Sequence, residues 1–534
     1  MRRKYNWVNT TVIGKDIDSK PVEFFGGIPF AEPPIGKLRF KPPVLKSSLD
    51  VPTFNATEFG ASCLQPGVKD PTTISEDCLF MNVFRPAGTP PNTSLPVQVF
   101  LYGGGFLVET PFRLDASTFV ARSIARGTPI IHVGFTHRLG VVGLPTGAEA
   151  AEKGAVNLAL KDQLAAFEWV KANIGSFGGD PEKVTMNGWS GGGVTLSMHF
   201  LNGQAEKYAR AAIFSSGTSI LVYNATSHQQ RWDDFVHAIP QCSSYPKGQS
   251  LDCLRSEEIN STQMLTAMNT AVSKSGQQLP WDLVLDGEDG LVPGLPVDLY
   301  QQGRFSRLPF ISGNVIDEGT RFSWNITDEQ TLKEAIVANF TTNKPAEVEA
   351  LRKAVDKLMV LYPNSPALGS PFNTGNETFG FNSLYKRYGA IIGDLLFQSP
   401  RRLWTETASK SGVKLFSYQF KFPESVTVPA TGVVHGADLP YVWGFPTISG
   451  SADGTQLNEQ IMDYWISFIT SLDPNDGLGT ERPDWPLYTP ERKAILEING
   501  PNNMTTTVPG DWKQDNHREQ QIHFINVNAG LFRH

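Results

Sequence analysis

Short apolar runs alternate along the chain with longer amphipathic segments. Segment 158–174 has apolar residues at helical spacing and ends before Gly175. This alternation predicts an α/β fold with a large, mostly parallel central sheet, flanking helices and helical insertions. Active residues of such a sheet collect beyond the carboxyl ends of its strands. The runs that indicate strands, several of them apolar enough to be buried on both faces, are 95–102, 129–133, 184–186, 211–214, 310–312 and 414–420.

No boundary between domains stands out in the sequence. A chain of 534 residues would suggest three or four units at about 150 residues each. Its 49 glycines and 38 prolines are nevertheless spread throughout, without a low-complexity block or an internal repeat. We therefore predict one large domain, residues 1–534, with insertions.

Charge and hydropathy argue against two kinds of partner. The 46 Lys and Arg residues against 53 Asp and Glu residues leave a net charge of −7, without the basic stripe that binds phosphates. No uninterrupted apolar run approaches the roughly 18 residues of a membrane span. We expect neither nucleic-acid binding nor a membrane span, and the oligomeric state is not indicated.

The 4 cysteines form two close pairs along the chain, Cys63 with Cys78 and Cys242 with Cys253. Close, even pairing predicts two disulfides, although four cysteines allow three connectivities and the alternative is four unrelated buried thiols. Nearest-neighbour pairing closes small loops, each of which stabilises the fold by roughly 3 kcal/mol in the chain-entropy model.

Glycosylation sequons, like paired cysteines, are typical of extracellular proteins. With them, the sequons predict a secreted, N-glycosylated eukaryotic protein. The basic start at residues 1–7 lacks an apolar leader core, so we expect a mature form whose leader was removed. The N-x-S/T sequons begin at Asn9, Asn55, Asn92, Asn224, Asn260, Asn325, Asn339, Asn376 and Asn503.

A serine flanked by glycines provides the clearest candidate for chemistry. Ser190 lies in a G-x-S-x-G pattern, after the strand-like run 183–186 and before a segment that can continue as a helix. A nucleophilic serine needs a strained turn with small neighbours, and Gly188 and Gly192 meet that need. Glycine-serine clusters are also common in loops, so the motif alone does not decide whether Ser190 is a nucleophile or an ordinary loop residue.

A second glycine cluster, at positions 103–105, follows the apolar run 97–101. Glycine lets a main chain approach a substrate oxygen and turn its N–H groups toward it. The position after an early strand is where a nucleophilic serine of this kind would find its oxyanion hole, with an ordinary glycine turn as the alternative.

Two further stretches show a family resemblance. Segment 22–40 resembles the opening signature of the type-B carboxylesterase, lipase and cholinesterase family, and segment 75–84 resembles its cysteine-bearing signature. With the Ser190 elbow, the resemblance runs almost the full length, to segment 485–488. It implies an α/β-hydrolase fold and a serine carboxylic-ester hydrolase, closest in character to secreted fungal carboxylesterases.

The resemblance also selects the partners of Ser190. Of the 9 histidines, His435 lies in a glycine-flanked loop that resembles the family's histidine signature and would be the general base. Asp317 and Glu318 both follow a strand, and chemistry alone does not separate them. The family's acid corresponds to Glu318. By the same resemblance Gly104, Gly105 and Gly191 would donate to the oxyanion, and Ser216 would support the acid.

Departures from the family pattern bear on the substrate. Trp189 stands where the family has glutamate, and segment 64–77 has no tryptophan to hold choline, which argues against a cholinesterase. The same segment is short and polar, whereas the lipases have a longer amphipathic lid there. We therefore expect short-chain or soluble ester substrates, unless another insertion provides the lid.

The leading hypothesis is a secreted carboxylesterase with a Ser-His-Glu triad and an acyl-enzyme intermediate, using no metal or organic cofactor. A lipase or sterol esterase acting on long-chain esters is the first alternative. A non-catalytic, cholinesterase-like binding module is the second, because a fold does not by itself define a function.

Overall fold

The computed structural model describes residues 2–7, 10–68, 70–108, 115–246, 248–445, 450–501, 503–505 and 515–534. The chain forms two compact units. The first consists of Met1–Arg210 and Val222–Gly294, and the second of Ala211–Leu221 and Leu295–His534. The single domain of residues 1–534 stays a prediction.

Strands in the described residues are labelled β1 to β17 in chain order. They are Arg2–Trp7, Thr10–Asp16, Val22–Pro29, Thr53–Asn55, Ser62–Cys63, Ile74–Ser75, Phe80–Pro86, Leu95–Leu101, Ile131–Phe135, Gly179–Trp189, Ala211–Ser215, Val222–Asn224, Leu283–Leu285, Phe310–Val315, Leu415–Phe420, Leu496–Ile498 and Met504–Thr505.

Helices in the same residues are labelled α1 to α17. They are Ser117–Ala125, Gly140–Gly143, Ala148–Glu152, Leu158–Asn173, Gly191–Leu201, Ala205–Tyr208, Gln229–His237, Ser250–Leu254, Ser261–Ser275, Pro296–Gln301, Glu329–Phe340, Pro345–Leu361, Ser383–Gly393, Ser399–Lys410, Leu439–Trp443, Ala452–Ser471 and Glu519–Val527. Among the described helices, none is both long and apolar enough to cross a membrane.

The first unit holds a mixed sheet in the order β1-β2-β3-β7-β9-β8-β10, with β4 beside β2. Strands β8, β9 and β10 run parallel, while the pairs from β1 to β9 at the other end are antiparallel. Gly188 on β10 pairs with Leu101 on β8, so both strands end at one edge. The residues that follow them, the serine elbow and the glycine cluster, therefore leave the sheet side by side.

The second unit continues the parallel pattern in the order β11-β14-β15-β16, with β17 antiparallel at the end. Strands β11, β14 and β15 are fully buried, as their apolar runs predict. Val315 pairs with Phe420, so the turn after β14 and the chain after β15 begin at the same edge. The predicted strands and the mostly parallel arrangement are confirmed. The antiparallel strands of the first unit were not predicted from the sequence.

Helix α4, Leu158–Asn173, confirms the helix predicted from apolar spacing. It is buried more widely than one apolar face would require, because polar residues on it have buried partners. Arg138 donates to Asp162, which lies on this helix, and Gln163 donates to Thr195 on α5. These bonds hold the helix against the segment after β9 and against α5, the helix that follows the serine elbow.

Candidate active site

The serine elbow forms as the sequence predicts. β10 ends at Trp189, α5 begins at Gly191, and Ser190 between them has φ 53° and ψ −125°. This is a strained conformation for a residue with a side chain, of the kind that is kept at functional sites. Val194 N donates to Ser190 O at 3.0 Å and starts the helix.

Close packing explains the two glycines of the elbow. A Cβ on Gly188 would lie 2.7 Å from the carbonyl oxygen of Gly192, and one on Gly192 would lie 2.1 Å from the carbonyl oxygen of Leu101. Both obstacles are main-chain atoms, which cannot swing aside as a side chain does. The elbow therefore has room only for glycine at these positions.

The glycine cluster after β8 lies directly against the serine. A Cβ on Gly103 would be 2.7 Å from the Ser190 Cβ. Gly104 and Gly105 have φ of +88° and +60°, so the main chain turns in the left-handed region there. A Cβ on Gly191 would lie 3.3 Å from the Phe106 nitrogen. Gly103 therefore lies against Ser190, and Gly104 and Gly105 follow it in the chain, whereas Gly191 follows the serine itself; their role as oxyanion donors stays a prediction.

The second unit brings Glu318 and His435 together. His435 Nδ1 lies 2.5 Å from Glu318 Oε2, and the Val315 amide donates to Glu318 Oε1 at 2.9 Å. The Glu318 side chain is fully buried, and that of His435 is nearly so. A buried carboxylate with both oxygens engaged holds the imidazole in one orientation. Between the two acids the sequence left open, it is therefore Glu318 that pairs with His435, and not Asp317.

Two aromatic rings line the imidazole. The centroids of Phe322 and Phe397 lie 5.6 Å and 4.8 Å from that of His435. Phe397 belongs to a turn of π-helix, Asp394–Gln398, which also carries Gln398. The Gln398 side chain donates to the Val315 carbonyl at 2.9 Å and ties this turn to the end of β14. Sequence reasoning missed these residues, because no motif marks a π-helical turn.

A second buried carboxylate lies near this pair. Tyr418 donates from its hydroxyl to Asp438 Oδ2 at 3.0 Å, three residues beyond the imidazole. Burial, reinforced by the charge of Glu318, raises the pKa of Asp438 to about 6. The motif around His435 contains Asp438, but nothing in the sequence distinguishes it from a surface residue.

Ser216 was expected to support the acid. It is fully buried with φ +49°, and its amide donates to the Gly313 carbonyl at 2.8 Å. Its hydroxyl has no hydrogen-bond partner among the described atoms. The bond to Glu318 is therefore absent from this structure, where the Val315 amide provides the support instead, and the functional role of Ser216 stays a prediction.

Other histidines near the elbow have structural surroundings. His132 lies 2.9 Å from the Gln98 side chain, and His199 lies 3.0 Å from the Gln163 side chain. Complete burial lowers the pKa of both to about 3, so both stay neutral. Their buried side-chain partners give both histidines structural surroundings.

Both predicted disulfides are present, Cys63 with Cys78 and Cys242 with Cys253. The segment closed by the first bond folds back on itself, because β5 and β6 pair at its two ends. Leu64 and Ile74 are buried and Val68 is half-buried, whereas Asp70 and Thr72 are exposed. The surface of this loop is therefore polar, as the sequence predicts.

Relatives of known type match nearly the whole chain. The carboxylesterase family model matches residues 5–524. Lipase 2 of Geotrichum candidum is 31% identical, covering 96% of this chain and 93% of that protein. A secreted triacylglycerol lipase, LIP1, of Gibberella zeae is 32% identical, covering 97% and 89%.

Solved structures agree with these sequence matches. The crystal structure of Aspergillus niger EstA superposes with a TM-score of 0.83 at 25% identity, covering 100% of this chain and 99% of that one. A PNB esterase superposes with a TM-score of 0.77 at 25% identity, covering 98% and 100%. The predicted α/β-hydrolase fold is thereby confirmed, and the chain belongs to the carboxylesterase family and is a carboxylic-ester hydrolase.

Proposed function

We propose that Ser190, His435 and Glu318 form the catalytic triad, with Gly104, Gly105 and Gly191 as the oxyanion hole. The observation that carries this proposal is the 2.5 Å contact between His435 Nδ1 and the buried Glu318 carboxylate. The strained elbow at Ser190 supports it, since strain of this kind persists where function requires it.

We also propose a single domain for residues 1–534, because one family model runs through both units.

The proposed reaction has two halves. Neutral His435 accepts the Ser190 proton from Oγ as that oxygen attacks the ester carbonyl, and Glu318 stabilises the resulting imidazolium. The glycine amides bind the oxyanion, each contributing about 3 kcal/mol to stabilising the tetrahedral state. His435 then returns the proton to the leaving alcohol. Water repeats the cycle on the acyl-enzyme and releases the acid, and no metal or organic cofactor takes part in these steps.

For the substrate, we propose short-chain or soluble esters. The loop between Cys63 and Cys78 buries Leu64 and Ile74 and exposes Asp70 and Thr72. An interfacial lid needs an extended apolar face to meet a lipid surface, and the half-buried Val68 does not make one. The partner is thus a small ester molecule.

A long-chain lipase is the second candidate. Relatives named as lipases, including the secreted lipase 1 of Botryotinia fuckeliana at 32% identity, favour it. Their names also support a secreted location for this chain. For N-glycosylation, the exposure of sequon side chains is favourable at Asn55, Asn92, Asn260, Asn325, Asn376 and Asn503. Asn9 lies outside the described residues.

Hydrolysis of p-nitrophenyl esters from acetate to palmitate tests the proposal. Ser190→Ala should leave only background hydrolysis in a folded protein. Ser197→Ala is a matched control, because this buried hydroxyl on α5 donates to the Val194 carbonyl, a main-chain atom of the same helix. Wild-type turnover by Ser190→Ala would overturn the triad. Preference for palmitate would keep the triad and establish the lipase.

A further inference from the structure

The residue beside the candidate acid, Asp317, holds three segments of the second unit together. Its Oδ2 accepts the Val433 amide at 3.0 Å. Its Oδ1 accepts the Ser370 hydroxyl at 2.8 Å and the Phe372 amide at 2.9 Å. The side chain is only 3% exposed. A buried carboxylate with three donors from two other segments acts as a bridge between them.

One of these segments carries His435. The Asp317 amide donates to the Val433 carbonyl at 3.2 Å, and Asp317 and Val434 form an isolated parallel bridge. Both main chain and side chain of Asp317 therefore hold the two residues before the imidazole. Glu318, the next residue, contacts the imidazole itself. Neighbouring acids thus hold neighbouring parts of one loop.

The loop is shaped to receive this carboxylate. Gly432 has φ +59°, and a Cβ there would lie 2.4 Å from Asp317 Oδ2. Thr320, in the turn after the two acids, donates from its hydroxyl to the Thr431 carbonyl at 2.6 Å. The strand-end turn therefore contacts the chain at 431, 432 and 433, which leaves this part of the loop little freedom to shift.

We propose that Asp317, in its ionised form, is a positioning residue that sets the imidazole of His435 for catalysis. This inference rests on the proposed triad. The ionised carboxylate offers acceptors on both oxygens, so it can hold the Val433 amide and the Ser370–Phe372 segment at once. An amide has no acceptor on its nitrogen and must release one of the two segments, and a proton on the carboxyl weakens the oxygen that carries it as an acceptor.

The surroundings of Asp317 make its ionisation sensitive to pH. Burial outweighs the hydrogen bonds and the positive charge of Arg518 and raises the pKa of Asp317 to about 6. The charge of Asp317 acts in turn on the pKa of Lys386 and Tyr385, and Glu318 is its neighbour in the chain. Protonation of Asp317 therefore falls in the range where a general-base histidine also titrates.

Asp317→Asn is the direct test, measured as kcat and KM for p-nitrophenyl acetate. A fluorophosphonate titration counts the active serines, so that kcat refers to folded enzyme. We expect kcat to fall roughly 10- to 100-fold with KM unchanged, because misplacement of a catalytic group by a fraction of an ångström has effects of this size. Asp515→Asn is the control, since this buried acid pairs with Arg401 and Arg402 and should alter stability but not kcat.

The pH profile gives a readout that a purely structural role would not change. If both His435 and Asp317 must lose a proton, the acid limb of log(kcat/KM) in the wild type approaches a slope of two, and that of Asp317→Asn a slope of one. Ser370→Ala removes a bond that lowers the pKa of Asp317, so its acid limb should move to higher pH while kcat at pH 8 stays near wild type.

An unchanged kcat in Asp317→Asn, or a wild-type acid limb of slope one that Ser370→Ala does not move, would overturn the inference. Should Asp317→Asn fail to fold, the wild-type and Ser370→Ala profiles still decide it. Activity that survives in Ser190→Ala would instead refute the triad, so the two proposals fail by different experiments.

Discussion

Replacing Glu318 by glutamine is the sharpest test of the proposed acid. The carboxylate now accepts from two sides, contacting His435 Nδ1 at 2.5 Å and the Val315 amide at 2.9 Å. Glutamine keeps the shape but has a single acceptor oxygen. If that oxygen stays with the Val315 amide, the NH2 group faces Nδ1, and the imidazole takes the tautomer with its proton on Nε2.

An imidazole with its proton on Nε2 cannot accept one from Ser190. The corresponding loss in a serine protease, where an amide replaces the triad acid, is about ten-thousand-fold in kcat, or about 5.4 kcal/mol. We expect a similar loss here. The free energy of unfolding should fall by about 1–3 kcal/mol, because the glutamine NH2 group brings a second buried N–H that the carboxylate did not have and that is left without an acceptor.

Steady-state kinetics on p-nitrophenyl acetate, with active serines counted by titration, measure the loss. Glu23→Gln is a matched control. This carboxylate is equally buried and also accepts from the Arg85 side chain at 2.8 Å and the Gly88 amide at 2.6 Å, neither of which is a histidine. A kcat for Glu318→Gln within about tenfold of wild type would contradict the tautomer argument.

Three further outcomes are expected. Gly192→Ala puts a Cβ 2.1 Å from a main-chain oxygen and should lower the free energy of unfolding, measured in urea, by at least about 3 kcal/mol. Gly530→Ala, whose Cβ would lie 4.0 Å from the Leu295 side chain, should not. Burial lowers the pKa of His132 to about 3, below its unfolded value. The free energy of unfolding that depends on neutral His132 is therefore fully present at pH 7 and falls by about 2 kcal/mol on acidification to pH 5. His132→Gln should flatten this pH dependence, and equal slopes of stability against pH for variant and wild type would refute the argument. Serine at both Cys63 and Cys78 should cost about 3 kcal/mol, and an unchanged urea midpoint would contradict that value.

Local patterns were enough to predict much of the fold. The apolar runs of β8, β14 and β15 and the spacing in α4 predict these elements, because burial on both faces or on one stripe leaves a periodic trace. The elbow at Ser190 was equally readable, since its glycines are required by main-chain contacts within a few residues or on the adjoining strand.

Contacts between distant segments were not readable in this way. Resemblance, and not chemistry, chose Glu318 over Asp317, and the different tasks of the two acids follow from which atoms of the 433–435 loop each one meets. The Val315 amide donates to Glu318, a contact that no side-chain motif reveals.

The sequence by itself determined the class of fold, the position of the serine elbow, the paired cysteines and the membership of a family. These depend on short stretches in which spacing and residue size directly restrict the main chain. Only the tertiary structure decided that Phe397 on a π-helical turn lies beside His435 and that Asp317 joins three segments. Such contacts depend on where strands end relative to one another, a property of the packed sheet that no local pattern contains.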